Sequence, residues 1–331
     1  MSGDRPMSMS AAQNRVSPGP GARAWASLAA VYLLWGSTYA GIQVAIRYMP
    51  PFLMSGSRFV LAGALLYLVA GHQGGFRQGL GHWSTPSRQE AISAGVVGLF
   101  LLVGGNGLLT LGELKVESGL ASLMIATVPL WMVLIGLLLK GSRRPGPLGW
   151  IGVLVGLGGV AVLVDPSSGG HLSLLSAAGL LGSAILWSIG SLYSQRAPLA
   201  RNVLLVAAVE MVVGGVGLVL VGFLTGEASH LHWAHIAVPF YLAYGWLIVG
   251  GSIAGFSCYT YVLKTMPPAT VATYAYVNPI VALGLGWLIL GQALTPTAGL
   301  AALLITAGVV LMVSGPALSN RRARLAPLPP S

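Results

Sequence analysis

Apolar residues run along the chain in stretches of roughly 20, the length that crosses the hydrocarbon core of a bilayer as a helix. The runs predict helices over about 25–46, 51–71, 90–112, 118–139, 148–164, 173–195, 203–224, 236–262, 268–290 and 296–315. They are too long and continuous for membrane barrel strands, which alternate over roughly ten residues. Lipid offers no partner to backbone N–H and C=O groups, so each span must close its hydrogen bonds within itself. The polar breaks are short, with the main linkers at 72–89, 140–147 and 225–235, so the helices are expected to form one bundle. Residues 1–22 are rich in Ser, Pro, Gly and Ala and read as a disordered cytoplasmic tail. Residues 316–331 read as a second cytoplasmic tail. The first apolar run is too long for a signal-peptide core and no clear cleavage site follows it, so it is expected to remain as a signal-anchor helix.

Composition strengthens this picture. Charged residues make up 7% of the chain, against about a quarter in a soluble domain, and so few could not cover a soluble surface. The net charge of +10 would suit a nucleic-acid partner, but the cations are scattered between apolar runs rather than gathered in one stripe, so nucleic acid is rejected. Place the N-terminus in the cytoplasm. Of the 17 Lys and Arg, all but Arg47, Lys115 and Arg58 then fall on the cytoplasmic side, among them Lys140, Arg143, Arg144, Arg321, Arg322 and Arg324. The acids Glu113, Glu117, Asp165 and Glu227 fall outside. Short-loop cations stay on the cytoplasmic side, so the count requires an even number of spans with both termini inside a multi-pass protein of the cytoplasmic membrane. The one cysteine, Cys258, allows no internal disulfide or zinc cluster and reads as a small buried core residue.

The sequence also repeats itself. Shifted by 150 residues, the fourth and fifth spans overlay the ninth and tenth, with Pro129 on Pro279, Gly136 on Gly286 and Gly158 on Gly308. Shifted by 152, Trp35 falls on Trp187, Arg58 on Glu210 and Gly63 on Gly215. GGN (104–106) corresponds to GGS (250–252) at a slightly different shift. Each copy holds five spans, and an odd number makes the second copy enter the membrane from the opposite side. Inverted repeats are a recurring plan of secondary transporters, with the solute site near mid-membrane where the halves meet. The expected fold class is an all-α polytopic membrane protein with ten transmembrane helices in two inverted five-helix repeats, 23–165 and 173–315.

The segments LLWGSTYAGIQVAI (33–46), MPP (49–51), SGSRFVLAG (55–63), GGNGLLTLGE (104–113), VPL (128–130) and YAYVNPIVALGLGWLILGQAL (274–294) resemble the EamA family of the drug/metabolite transporter superfamily. The resemblance spans about 25–315 and rests on the order and spacing of these segments rather than on one motif. It implies ten helices, cytoplasmic termini, a central cavity shared by two EamA repeats, and efflux or exchange of small metabolites. It leaves the solute open.

Two charges stand inside the apolar runs. Arg58 lies roughly 10 Å into the second helix and Glu210 roughly 12 Å into the seventh. Intramembrane charges are costly and face a partner or a watery cavity. Both are expected at the central cavity, pairing with each other or holding opposite charges of a zwitterionic solute; a structural ion pair is the plain alternative. Glu210 is also a candidate carrier of a coupling proton. Asn106 and Asn278 are buried amides that demand partners. Asn278 precedes Pro279, which removes a backbone donor, and Pro129 marks the matching place in the fourth helix; both prolines are candidate hinges. Tyr32, Trp35 and Tyr39 share a face of the first helix, Trp187 is the counterpart of Trp35, and Tyr274 shares a face with Asn278. Aromatic walls with a few polar groups suit a small-molecule site, although such stripes also serve as packing. The expected substrate-binding set is Trp35, Tyr39, Arg58, Asn106, Trp187, Glu210, Tyr274 and Asn278. Glu113 ends the third helix as a solvated residue or a gate. Gly152/Gly156 and Gly251/Gly255 have the spacing of close helix packing.

No enzyme chemistry is legible. There is no HExxH pair, the glycine-rich GLGG (156–159) lies inside a helix, and the three histidines of 230–235 fit no zinc pattern. No cofactor and no metal are expected. A small-molecule solute and the lipid bilayer are the expected partners, with a coupling proton and a second copy in a homodimer left open. An exchanger of phosphorylated sugars or nucleotide sugars is the alternative carrier, but phosphate favours several cations and only Arg58 lies within a span. A non-transport membrane subunit fits poorly with the short loops.

Overall fold

A computed structural model describes residues 21–78, 85–139, 146–164, 174–231, 236–266, 268–271 and 273–325. The segment 1–20, the residues Lys140, Arg143, Arg144 and Asp165, and the histidines at 232 and 235 lie outside these residues. Ten helices follow in chain order: α1 (Ala22–Ala45), α2 (Pro51–Gln78), α3 (Arg88–Gly112), α4 (Ser118–Gly136), α5 (Pro147–Val164), α6 (Leu174–Ser194), α7 (Val203–Leu224), α8 (Val238–Thr265), α9 (268–290) and α10 (Pro296–Leu325). Seven are long and apolar enough to cross a membrane by length and composition, and Pro147–Val162, Val277–Leu290 and Pro296–Leu311 are shorter apolar stretches. The segment after 316, expected as a tail, continues α10 to Leu325, because its Ala, Leu and Arg favour a helix.

Helix starts are set by local chemistry. Ser87 and Glu90 form a reciprocal capping box at α3, with Ser87 N donating to Glu90 Oε2 at 2.8 Å. Asn202 Oδ1 accepts from Leu204 N at 3.0 Å to start α7. The start of α2 is capped from a distance, since Phe52 N and Leu53 N donate to the Glu227 carboxylate at 3.1 and 2.9 Å. This places an acid at the positive end of the helix.

The same irregularities occur in counterpart helices. The middles of α3 and α8 widen to π-helix, over Leu99–Asn106 and Leu247–Phe256. Helix α4 breaks at 126–127 and α9 just before Tyr274. Pro129 sits in the first turn after its break, where a missing N–H costs nothing. Pro279 lies inside the continuous segment Tyr274–Leu290. The interruption expected at Asn278-Pro279 therefore lies upstream of the proline.

Packing respects the repeat. The largest helix contacts pair α2 with its counterpart α7 and α5 with α10. The contacts α1–α9, α1–α8 and α2–α8 have equivalents in α6–α4, α6–α3 and α7–α3. The two halves thus make equivalent sets of contacts, and counterpart helices stand five places apart in chain order. At the α2–α7 crossing, a Cβ on Gly56 would lie 2.8 Å from Gly215 O, and one on Gly215 would lie 2.9 Å from Gly56 O. At α5–α10, a Cβ on Gly308 would lie 2.6 Å from Gly152 O. Glycine is required there because the obstruction is backbone. Gly251 and Gly255 face Thr38 and Trp35 of α1, which also makes them packing residues. The polarity is that of a lipid-embedded body: Leu154, Leu220 and Leu303 are exposed, while Arg58, Glu113, Glu210 and Asn278 are buried. Cys258 is half-buried rather than part of the core.

Gly308→Ala is expected to destabilise the bundle by about 1–3 kcal/mol, the usual cost of overpacking, whereas at Gly299 an added Cβ meets nothing. Thermal unfolding of the purified variants checks this: the Gly308 midpoint should fall and the Gly299→Ala midpoint should not.

Candidate functional site

The π-helical middles of α3 and α8 line one central cavity. Its walls come from α1, α2, α3, α4, α6, α8 and α9. Seven of the eight expected residues line it: Trp35, Tyr39, Arg58, Asn106, Trp187, Tyr274 and Asn278. Residues from both halves meet directly, as in the edge-to-face pair of Trp35 with its counterpart Trp187, whose ring centroids are 5.5 Å apart.

Arg58 is 2% exposed. Its Nη2 donates to Asn106 Oδ1 at 3.0 Å, and its guanidinium lies 4.4 Å over the Phe59 ring. Its Nε and Nη1 have no protein partner. Asn106 is itself steadied by Thr110, whose hydroxyl donates to Asn106 O at 2.8 Å. The Ser252 hydroxyl lines the same cavity, is buried, and lacks a protein partner too, while the Trp187 indole is turned to the Tyr259 and Tyr274 hydroxyls. A buried donor without a partner carries a desolvation penalty. The open groups of Arg58 and Ser252 can donate and line one space, so the complementary occupant is rich in acceptors. Ser252 was legible in the sequence, since the GGN/GGS correspondence puts it at the counterpart position of Asn106.

Other polar groups in the walls are satisfied within the protein. Trp35 Nε1 donates to Gly251 O at 3.1 Å, and Ser183 Oγ donates to Gly105 O at 2.6 Å. The Asn278 amide nitrogen, oriented by its surroundings, reaches the carbonyls of Tyr274 and Tyr32 at 3.2 and 3.1 Å. Asn278 thus bridges α9 to α1 while forming part of the wall. Tyr32 ties the same two helices, its hydroxyl 2.6 Å from Thr273 Oγ1.

Glu210 departs from expectation. It lines a second cavity, with Tyr259, Thr260, Gln195 and Lys264. The cation acting on it is Lys264, not Arg58. Counterpart positions in inverted halves lie on opposite sides of the centre, so Arg58 and Glu210 are carried apart. Glu113 also departs from its expected solvated state. It is 2% exposed and neither carboxylate oxygen has a hydrogen-bond partner; Arg58 is the cation acting on it. The turn after α3 folds back over it. Gln43 Nε2 donates to Glu113 O at 3.4 Å and Val116 O at 3.1 Å, and Gln43 Oε1 accepts from Ser118 N at 2.8 Å. Sequence spacing carried no sign of that fold-back. Among the described residues no group of three or more His, Cys, Asp or Glu could hold a metal ion.

These features define a polytopic helical membrane protein built from two inverted five-helix halves around a mid-bundle cavity. The chain belongs to the EamA-like transporter family, whose model matches residues 23–165 and 174–314. It is 35% identical over 308 residues to "Uncharacterized inner membrane transporter YedA" of Escherichia coli K12, covering 91% of this chain and 94% of that protein. It is 25% identical over 294 residues to a "Probable amino-acid metabolite efflux pump" of the same organism, covering 86% and 93%. A solved crystal structure 22% identical to the chain matches with a TM-score of 0.62, covering 91% of this chain and 98% of that one; that likeness concerns the fold alone.

Removing the Asn106 carbonyl should cost about 1.5–3 kcal/mol, the range for a hydrogen bond to a charged group. Asn106→Leu is expected to lower the unfolding midpoint with Arg58 present and to have little effect beside Arg58→Met. A double-mutant cycle on thermal stability checks it, and equal effects in both backgrounds would exclude the coupling.

Proposed function

We propose that the protein is a secondary carrier of the cell membrane that exports a small, amino-acid-like metabolite by alternating access. The observation that carries this reading is the central cavity between the halves, into which a buried guanidinium presents unpartnered donors beside the Ser252 hydroxyl. A solute carboxylate matches that set, and charge-assisted bonds to arginine are the strong ones. The apolar part of the solute lies against Trp35, Trp187 and Tyr274. Two halves of like architecture can rock about their shared axis between two forms of similar energy, which is how inverted repeats expose a fixed site to each side in turn. The breaks before Pro129 and Tyr274 are the places where α4 and α9 can bend, with Pro129 and Pro279 stiffening the flanking segments.

The efflux-pump name of one relative supports the direction of transport and the solute class. The cation distribution supports cytoplasmic termini, which puts the Glu210 cavity on the cytoplasmic side and the Gln43 fold-back on the outer side. A phosphorylated solute fits less well, because Arg58 is the one cation among the described residues lining the central cavity. Glu210 remains the proposed carrier of a coupling proton, acting at the second cavity.

The test begins with metabolites released by cells with and without the protein, followed by flux of the identified solute in reconstituted vesicles. Arg58→Gln should lower saturable flux by on the order of 30-fold or more, the scale of a lost partner to a buried charge. Undiminished flux in that variant, or a transported solute without an acidic group, would overturn the reading. Glu210→Gln should keep solute binding and lose the pH dependence of flux; full and still pH-dependent transport would remove Glu210 from coupling.

A further inference from the structure

The two cavities nearly touch. Leu102 and Phe256 line the central one, and Leu101 and Tyr259 line the one beyond it. Aromatic rings pack where the two linings approach each other. Tyr259 packs on Trp35 with ring centroids 4.6 Å apart, on Tyr274 at 5.8 Å and on Trp187 at 6.0 Å. It therefore belongs to the cavity of Glu210 and Lys264 while touching three walls of the central site. Tyr259 is 2% exposed and comes from α8, immediately after the π-helical stretch that ends at Phe256. Its hydroxyl lies 3.0 Å from the Ser191 hydroxyl on α6. That bond joins the second half to itself, whereas the ring contacts to Trp35 join it to the first half.

We infer that Tyr259 is the gate between the central site and an antechamber holding Glu210 and Lys264, and that its bond to Ser191 is the latch. Three features point to this residue rather than its neighbours. It is the aromatic shared between the second cavity and the walls of the first. Its ring is held by edge-type and tilted contacts, which a rotation can break singly. A π-helical turn next to it offers a change of helical register that an unbroken α-helix lacks, and such turns recur at functional sites. The antechamber carries both signs of charge, as an approach for a zwitterion requires. Lys264 Nζ donates to Ala200 O at 2.6 Å, which holds the ammonium at the cavity's edge. The inference rests on the carrier reading for its purpose, but the gate itself can be tested without a known solute.

The experiment uses the full chain in a Cys258→Ser background with one reporter, Leu109→Cys, on the wall of the central cavity away from Tyr259. A membrane-impermeant maleimide is applied to vesicles of each orientation. From the Lys264 face, Tyr259→Ala should speed reporter labelling by about tenfold or more, since each aromatic contact holding the ring contributes up to about that factor. Tyr259→Phe and Ser191→Ala, which keep the packing, should each speed it by about fivefold, the factor for one neutral hydrogen bond. Labelling from the opposite face should not change. Labelling from the Lys264 face that is the same in the parent and in all three variants would overturn the gate. A rise in Tyr259→Ala with none in the two conservative variants would overturn the latch. If Tyr259→Ala fails to fold, the conservative variants decide alone. Loss of the carrier reading would appear as absent solute flux with these labelling rates intact, so the two failures are distinct.

Discussion

Every polar group in this protein answers to a solvent that cannot hydrogen-bond. Hydrocarbon leaves backbone groups no choice but helices, and it makes any buried charge depend on the protein for its solvation. The apolar exterior and the polar interior are two sides of that constraint. The ten helices satisfy their own backbones and turn leucines outward. The few polar side chains then gather where helices meet. Asn106 supports Arg58, Thr110 supports Asn106, and Gln43 closes the turn over Glu113. What the protein leaves unsatisfied is as informative as what it satisfies, because the open donors of Arg58 and Ser252 line a single space.

Duplication explains why that space lies at the centre. Counterpart helices cross through glycines at α2–α7 and α5–α10, where backbone meets backbone. Counterpart π-helical stretches in α3 and α8 widen the bundle between those crossings. The halves have diverged in charge: one carries Arg58 with Glu113 beyond it, the other Glu210 with Lys264 beyond it. Glu210 stands at the position equivalent to Arg58.

Much of the architecture was legible because it depends on short-range chemistry. Continuous apolar runs specify spans, and the Pro129/Pro279 and Trp35/Trp187 matches expose the repeat. The site was legible in large part too, since intramembrane Arg and Asn have few places to go other than a shared interior. Glu210 and Glu113 were misjudged for one reason: depth in a helix says how far a residue lies from lipid headgroups, not which cavity it faces. The coupling of Glu227 to the start of α2, between partners 175 positions apart in the chain, had no local signature.

Sequence alone determined the apolar helices, the repetition of the chain in two halves and the presence of a charged, aromatic interior, because each follows from periodicity and from the cost of polar groups in lipid. Tertiary structure decided that Arg58 keeps open donors beside Asn106, that Glu210 belongs to a separate chamber, and that Tyr259 stands between the two. Those outcomes depend on how helices distant in the chain rotate and cross, which is settled by packing over the whole bundle rather than by the residues along any one run.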